Sequence, residues 1–463
     1  MNLHKILTTV LALMYFHCPR GYAQTESAAA KLLHDYLITQ HQRMGFNGVV
    51  MVSANNSLIY QDAVGMASKE LDVPITPQSV FRIASITKQF TALLTVLAAK
   101  KGKFALTDSL AGFFPELTDP TWRKITLHQL LTHTSGLPHN EGIVNYWSVK
   151  SFLPLSDKQA MAEIFDLKLL AEPGKETHYS SPGYFLLAGV LEKVYQDTYA
   201  NILAIKIGEP LRLSNTGVAS SRKMIPRLTS AYHMLGDCLI VAPNRDFSLM
   251  KGSGDLYASA EDLTRWNSSL LDGTLWPGEI KEKLFSVQNP QPVNGREDGY
   301  GYGWFIRPGG NRTREAYYTG GGTFGCSAIS VIYPEENMSI VILSNVSALP
   351  VDELWKDVEK IVFGDDFELP VVHQEKKLPA GHVGKIPGIY VGENGMQLTI
   401  SLSGNQLYAK LGSNPAFEIY AETLFQFYGK KVAVVLRFQP DKQGNVTRVE
   451  ADGKGQKFTF KKQ

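Results

Sequence analysis

Strand-type alternation near residue 50 returns only beyond residue 300, and this separation limits the folds open to the chain. Gly48 to Ala54 and Leu58 to Val64 alternate around Asn55 and Asn56, the pattern of a hairpin. Comparable runs recur between Gly303 and Ser344, while the stretch between, up to about Leu271, is helical and rich in loops. Residues 26–43 set Leu32, Leu33, Tyr36 and Leu37 on one apolar helical face, and a further helix runs from Asp352 to Phe363. The pattern predicts an α/β (α+β) fold: an antiparallel sheet assembled from both ends of residues 24–364, flanked by helices, with a helical region inserted and a cleft where the two meet. With 463 residues, 44% of them hydrophobic, the chain can bury a large core and is expected to hold two domains.

Residues 365–387 contain three prolines and several charges and read as a linker. Beyond Gly388 the pattern changes to short alternating runs, Gln397–Leu402, Gln406–Leu411, Leu424–Tyr428, Val432–Phe438, Val446–Ala451 and Lys457–Lys461, separated by turns such as Ser403-Gly404-Asn405. Residues 388–463 are therefore expected to form a small all-β barrel or sandwich.

Residues 1–23 read as a signal peptide: Lys5 opens it, Ile6 to Phe16 is apolar, and Gly21-Tyr22-Ala23 offers a small-x-small cleavage site. The apolar stretch is too short for a stable membrane span, and Cys18 follows Phe16 and His17, a poor lipoprotein signal. A periplasmic or secreted protein is expected. Cleavage after Ala23 removes Lys5 and Arg20 and no acid, leaving 44 basic residues against 44 acidic ones, a balance that gives no support for nucleic-acid binding. Only Cys238 and Cys326 would remain, and sequence leaves their pairing open. No cluster of His, Cys and acids has metal-ligand spacing, so neither metal nor cofactor is expected.

The chemistry centres on Ser85-Ile86-Thr87-Lys88, which heads a helical run from Ile86 to Ala99 free of Gly and Pro. A hydroxyl attacks a carbonyl at neutral pH only when a base takes its proton. Residues three apart share a helix face, so the Lys88 amine can reach Ser85. Unpaired N–H groups at the helix start favour an oxyanion beside the serine. Serine is also a favoured N-cap, so four residues alone leave a purely structural reading open. Two further segments count against it. Tyr179-Ser180-Ser181 opens the apolar run Tyr184–Leu191, and Tyr318-Thr319-Gly320-Gly321-Gly322 precedes an alternating strand from Cys326 to Tyr333.

Serine-x-x-lysine, then tyrosine-serine-x, then a threonine-glycine strand is an ordered set. With Ile125–Pro138, Gly254–Trp266 and Tyr300–Trp304 alongside, the chain resembles the serine beta-lactamase and penicillin-binding-protein superfamily, in particular its class C-like esterases, D-aminopeptidases and DD-peptidases. The tail is similar to the lipocalin-like C-terminal domain of some members. The resemblance covers roughly residues 26–364 and implies that Ser85 is the nucleophile, with Lys88 the first-choice base and Tyr179 in the same proton network. Which of the two takes the serine proton stays open. It also implies that Gly321 N–H is the second oxyanion donor, and that Ser181, Tyr318, Thr319 and Gly320 line the substrate site.

Two departures bear on substrate. The family usually has asparagine where Ser181 stands, and lysine or histidine where Tyr318 stands; a neutral phenol replaces the cation that holds a substrate carboxylate. Arg312 and Arg314 lie just upstream and are candidates to replace that charge, or else solvated hairpin residues. His133 and His178 are read as packed rather than catalytic. The implied function is an exported serine hydrolase that forms an acyl-enzyme on a small ester or a D-residue-containing peptide or amide, cell-wall fragments being one source. A beta-lactamase or DD-peptidase is the alternative, and a penicillin-binding sensor without turnover, or a binding protein, is another. Sequence gives no oligomeric state.

Overall fold

The computed structural model describes residues 28–463 other than Gly236, Asp237, Thr274, Asn311, Arg312, Ala380, Asn394, Lys431, Ala433, Lys454 and Gly455. The expected signal peptide, with Cys18, lies outside the described residues.

Helix α1 (Ala28–Met44) leads into the hairpin β1 (Gly48–Ala54) and β2 (Ser57–Val64). The same sheet is completed late in the chain by β3 (Gly299–Tyr300), β4 (Phe305–Arg307), β5 (Ala316–Thr323), β6 (Cys326–Tyr333) and β7 (Met338–Ser344). The seven strands run in the order β3-β4-β5-β6-β7-β1-β2. Every pairing is antiparallel, and β1 meets β7 with Val50 opposite Ile342. The two ends of the hydrolase region thus share one sheet, as the alternation near residue 50 and beyond residue 303 implies.

Between them lie the helices that shape the cleft, chiefly α2 (Thr87–Lys100), α3 (Ser181–Tyr195) and α4 (Ala260–Asp272); α5 (Val351–Phe363) follows the sheet. The sheet is covered on both faces, so every residue of β6 and all but the first of β7 are buried. Successive residues face opposite sides. Val50, Ile329, Val331 and Ile342 meet Tyr36, Leu37, Leu354 and Trp355 of α1 and α5, whereas Val49, Met51, Val341 and Leu343 meet Leu263 and Trp266 of α4. Helix α2 is buried along almost its whole length. Its Phe90 stacks on Trp266 at 4.3 Å, and the Trp266 indole N–H donates to Gln89 at 2.9 Å, fixing α2 against α4.

The tail is a closed antiparallel barrel of eight strands: β8 (Gly388–Gly392), β9 (Gln397–Ser403), β10 (Gln406–Leu411), β11 (Phe417–Ala421), β12 (Gln426–Tyr428), β13 (Val435–Pro440), β14 (Val446–Gly453) and β15 (Gln456–Lys462). Closure comes from β8 against β15, with Tyr390 opposite Lys462. Leu398, Ile400, Leu407, Ile419, Leu436, Phe438, Val449 and Phe460 point inward and form one apolar cluster. The preceding segment is tied at both ends. Phe367 meets Tyr36 edge-on at 5.5 Å, Lys376 N–H donates to Ala421 at 2.7 Å, and Ile386 is fully buried in the barrel core.

Candidate active site

Ser85 stands on a 3₁₀ turn, Ala84–Ile86, that runs directly into α2. Ala84 before it is fully buried with φ +44°, a left-handed conformation that costs energy for a residue with a side chain. From Ile83 to Phe90 every residue is buried except Ser85. The segment therefore exposes one hydroxyl from an otherwise apolar turn.

Lys88 follows one turn later and is fully buried. Its Nζ lies 3.1 Å from Ser85 Oγ, 3.1 Å from Ser181 Oγ and 2.7 Å from the Ser253 carbonyl oxygen. Burial disfavours the ammonium and pulls the amine down to about 7, while Asp255 pulls the other way. A substantial neutral fraction at neutral pH makes this amine a competent proton acceptor. Ser181 thus serves the lysine through its hydroxyl, the role an asparagine amide at that position would share. Ser253 directly precedes, and Asp255 belongs to, the Gly254–Trp266 stretch, whose chemistry no spacing rule revealed.

Tyr179 is delivered by the loop before α3, where Ser180 caps the helix by accepting Gly183 N–H at 3.1 Å and donating to Pro138 O at 2.8 Å. Its hydroxyl interacts with that of Ser85, and its ring lies 4.8 Å from Lys88 Nζ. Burial pushes the phenol up to about 12, opposed by the Ser85 hydroxyl and by the Arg296 charge. The phenol therefore stays protonated where the amine is partly neutral. His133 and His139 brace this loop: each accepts a backbone N–H through Nδ1, from Ser180 at 3.1 Å and Ser181 at 3.2 Å, and both rings lie against Tyr179. Burial holds His133 well below its usual range and His139 down to about 3, so both are neutral acceptors. His178 sits at the rim beside Glu176, 3.1 Å away.

Strand β5 closes the site. A side chain on Gly321 would place its Cβ 2.2 Å from Ile83 O and 3.2 Å from Ser85 N, so only glycine lets this strand lie against the nucleophile's amide. Thr319 is buried and donates to Gly303 O at 2.7 Å. Gly303 in turn packs on the α2 backbone, where a Cβ would meet Lys88 O at 2.7 Å. Thr319 and the Tyr300–Trp304 segment therefore align β5 with α2.

Tyr318 departs from its expected place. Its ring is buried between Phe305 and Trp355, and its hydroxyl donates to Asp298 at 2.5 Å, so the phenol is already engaged within the fold. Arg296 places a guanidinium beside it. Its Nη1 lies 3.3 Å from the Tyr318 hydroxyl, its Nη2 is 2.6 Å from Asp352, and a Cβ on Gly320 would lie 3.5 Å from Nη2. No sequence signal marks Arg296, because a loop rather than a helical or strand spacing carries it there. Arg314 does not replace it: that side chain pairs with Asp365 at 2.8 Å and lies over Phe363. Arg312 is outside the described residues. Cys326 is buried with its thiol donating to Arg82 O at 2.6 Å, Cys238 is exposed, and both are free. Among the described residues no three acidic, histidine or cysteine side chains gather as metal ligands, and no helix is long and apolar enough to cross a membrane.

The sequence model of the family described as Beta-lactamase matches residues 35–360. Penicillin-binding protein 4* of Bacillus subtilis (strain 168) is 24% identical over 436 residues, covering 90% of this chain and 94% of its own length. The teichoic acid D-alanine hydrolase of Staphylococcus aureus is 25% identical over 318 residues, 68% of this chain and 75% of that protein. Among solved structures, the octameric penicillin-binding protein homologue from Pyrococcus abyssi superposes with a TM-score of 0.67 at 20% identity, over 93% of this chain and 99% of that one.

Proposed function

Since the chain belongs to the beta-lactamase family and is a serine hydrolase of it, we propose that it is an exported enzyme that forms an acyl-enzyme at Ser85 on a small ester or a D-residue-containing peptide or amide. The observation that carries this reading is the Lys88 amine, 3.1 Å from Ser85 Oγ and drawn down to about 7 by burial. In the proposed step Lys88 takes the Ser85 proton as the oxygen attacks the carbonyl carbon. The oxyanion is received by the N–H groups of Ser85 and Gly321, and Tyr179, protonated at neutral pH, passes its proton to the leaving group and takes back the one held by Lys88, which restores the neutral amine. Water then releases the acyl group. Similarity to a teichoic acid D-alanine hydrolase supports D-alanyl esters as a substrate class. Export rests on the Lys5, Ile6–Phe16 and Gly21-Tyr22-Ala23 pattern.

A panel of p-nitrophenyl esters, D-alanyl esters, D-amino-acid amides, muropeptides and nitrocefin tests the reading. Turnover of a D-alanyl ester with a transient adduct at Ser85 is expected, and a lasting adduct would mean trapping without turnover. One observation favours beta-lactams or peptide C-termini as a second reading: Arg296 brings a cation to Tyr318. On that reading Arg296→Gln lowers kcat/KM about tenfold or more for carboxylate-bearing substrates and leaves neutral esters nearly unchanged; equal losses on both would reject it.

A further inference from the structure

Asp255 is 2% exposed and lies on the loop whose carbonyl receives Lys88. Gly252 N–H donates to its Oδ1 at 3.0 Å, and Ser253 O accepts from Lys88 Nζ at 2.7 Å. Thr91 of α2 pins the same loop, donating to Gly252 O at 2.6 Å and meeting the Tyr199 hydroxyl at 2.6 Å. A buried carboxylate and a buried amine are each costly unless an opposite charge accompanies them. Two cations act on this region. Lys251 is already held by Asp157 at 2.8 Å and Glu192 at 2.9 Å. Lys88 has no carboxylate within ion-pair distance among the described residues, and in a water-excluded interior the Asp255 charge, on the loop that receives the amine, still acts on it through space.

We infer that Asp255 is a positioning residue for acylation, the counter-charge that lets Lys88 accept the Ser85 proton. The inference rests on Lys88 being the base. When the Ser85 O–H bond breaks, its proton passes to the Lys88 amine and the oxygen's electron pair forms the bond to the carbonyl carbon. The new ammonium is held through Ser253 O by the loop that carries the Asp255 carboxylate. The other ionisable groups that face Lys88 are Tyr179, Tyr184, His133 and His139, which are neutral near pH 7 and cannot balance that charge. Those that face Asp255 are Lys251, Glu192 and Tyr199; the first two are paired with each other and Tyr199 is a neutral phenol. Burial raises the Asp255 carboxyl to about 7, so its proton and that of Lys88 are exchanged over one pH range.

The test is the rate at which a fluorophosphonate labels Ser85 in the full chain, followed against pH. Asp255→Asn keeps the shape and the acceptor for Gly252 N–H and removes only the charge. Its acid limb is expected to move to lower pH by about one pH unit, and its plateau to fall by up to about tenfold because the amine becomes a weaker base. Thr91→Val loosens the same loop without touching the charge and is expected to keep the wild-type limb. An Asp255→Asn limb that coincides with the wild-type one would overturn the inference. If that variant does not fold, ¹³Cε signals of labelled lysine in the wild-type enzyme carry the test: two inflections at Lys88 are expected, and a single one overturns it. Labelling depends on no particular substrate, so a failure here leaves the D-alanyl proposal intact. Absence of any wild-type labelling would overturn both the acyl-enzyme reading and this inference.

Discussion

At the scale of single residues the site is governed by the cost of burying an amine. Lys88 titrates near 7 when folded and near its ordinary value, 10.5, when unfolded. Between those limits the unfolded chain binds more protons, so stability rises with pH from about 7 to about 10 and the penalty is fully present below 7. Lys88→Met is therefore expected to be inactive yet more stable than wild type at pH 6 by roughly 1–3 kcal/mol, with the gap narrowing toward pH 10 in urea titrations. Ser85→Ala should abolish turnover with a change in stability under about 1 kcal/mol, since the side chain is partly exposed and caps nothing. In the wild type, kcat/KM should climb through pH 7 as Lys88 loses its proton. Ser85, Lys88 and Tyr179 were legible because each opens or follows a helix at a spacing with a chemical meaning. Arg296, Asp255 and the Ser253 carbonyl were not, because loops bring them in and no periodicity constrains a loop.

Elements matter here through how closely their backbones approach. Gly321→Ala would drive a methyl group into Ile83 O, and displacement of β5 from the Ser85 amide should lower kcat by about two to three powers of ten. Steady-state kinetics beside a thermal melt would separate that loss from unfolding. His133→Ala removes the acceptor for Ser180 N–H at the head of α3. One buried donor left unpaired should cost about 1–3 kcal/mol and weaken Tyr179-dependent steps. The hairpin β1–β2, helix α2 and the β5–β7 run could be anticipated from alternation and from a helix without Gly or Pro. Two barrel strands could not. Gly388–Gly392 is bounded by glycines, and Phe417–Ala421 carries Glu418 within a short run, so neither stands out from turn sequence although register completes both. The tightness of the 365–387 segment was also hidden, since prolines and charges describe its composition but not the Phe367–Tyr36 contact.

Across the whole molecule the apolar residues separate into a sheet-and-helix core and a barrel core, which do not share a cluster. Two cooperative units are expected, giving two calorimetric transitions rather than one; a single transition with matching van't Hoff and calorimetric enthalpies would contradict this. A chain ending after residue 372 keeps Asp365 with Arg314 and Phe367 against Tyr36, and should retain the kcat/KM of the full enzyme. The 6 tryptophans, Trp122, Trp147, Trp266, Trp276, Trp304 and Trp355, all lie in the first unit, with Trp266, Trp304 and Trp355 among the largest fully buried side chains. The protein therefore carries an intrinsic optical reporter for one half only. Indole emission should follow the melting of the catalytic unit and stay silent while the barrel comes apart, so that fluorescence and far-ultraviolet dichroism give different midpoints on one sample.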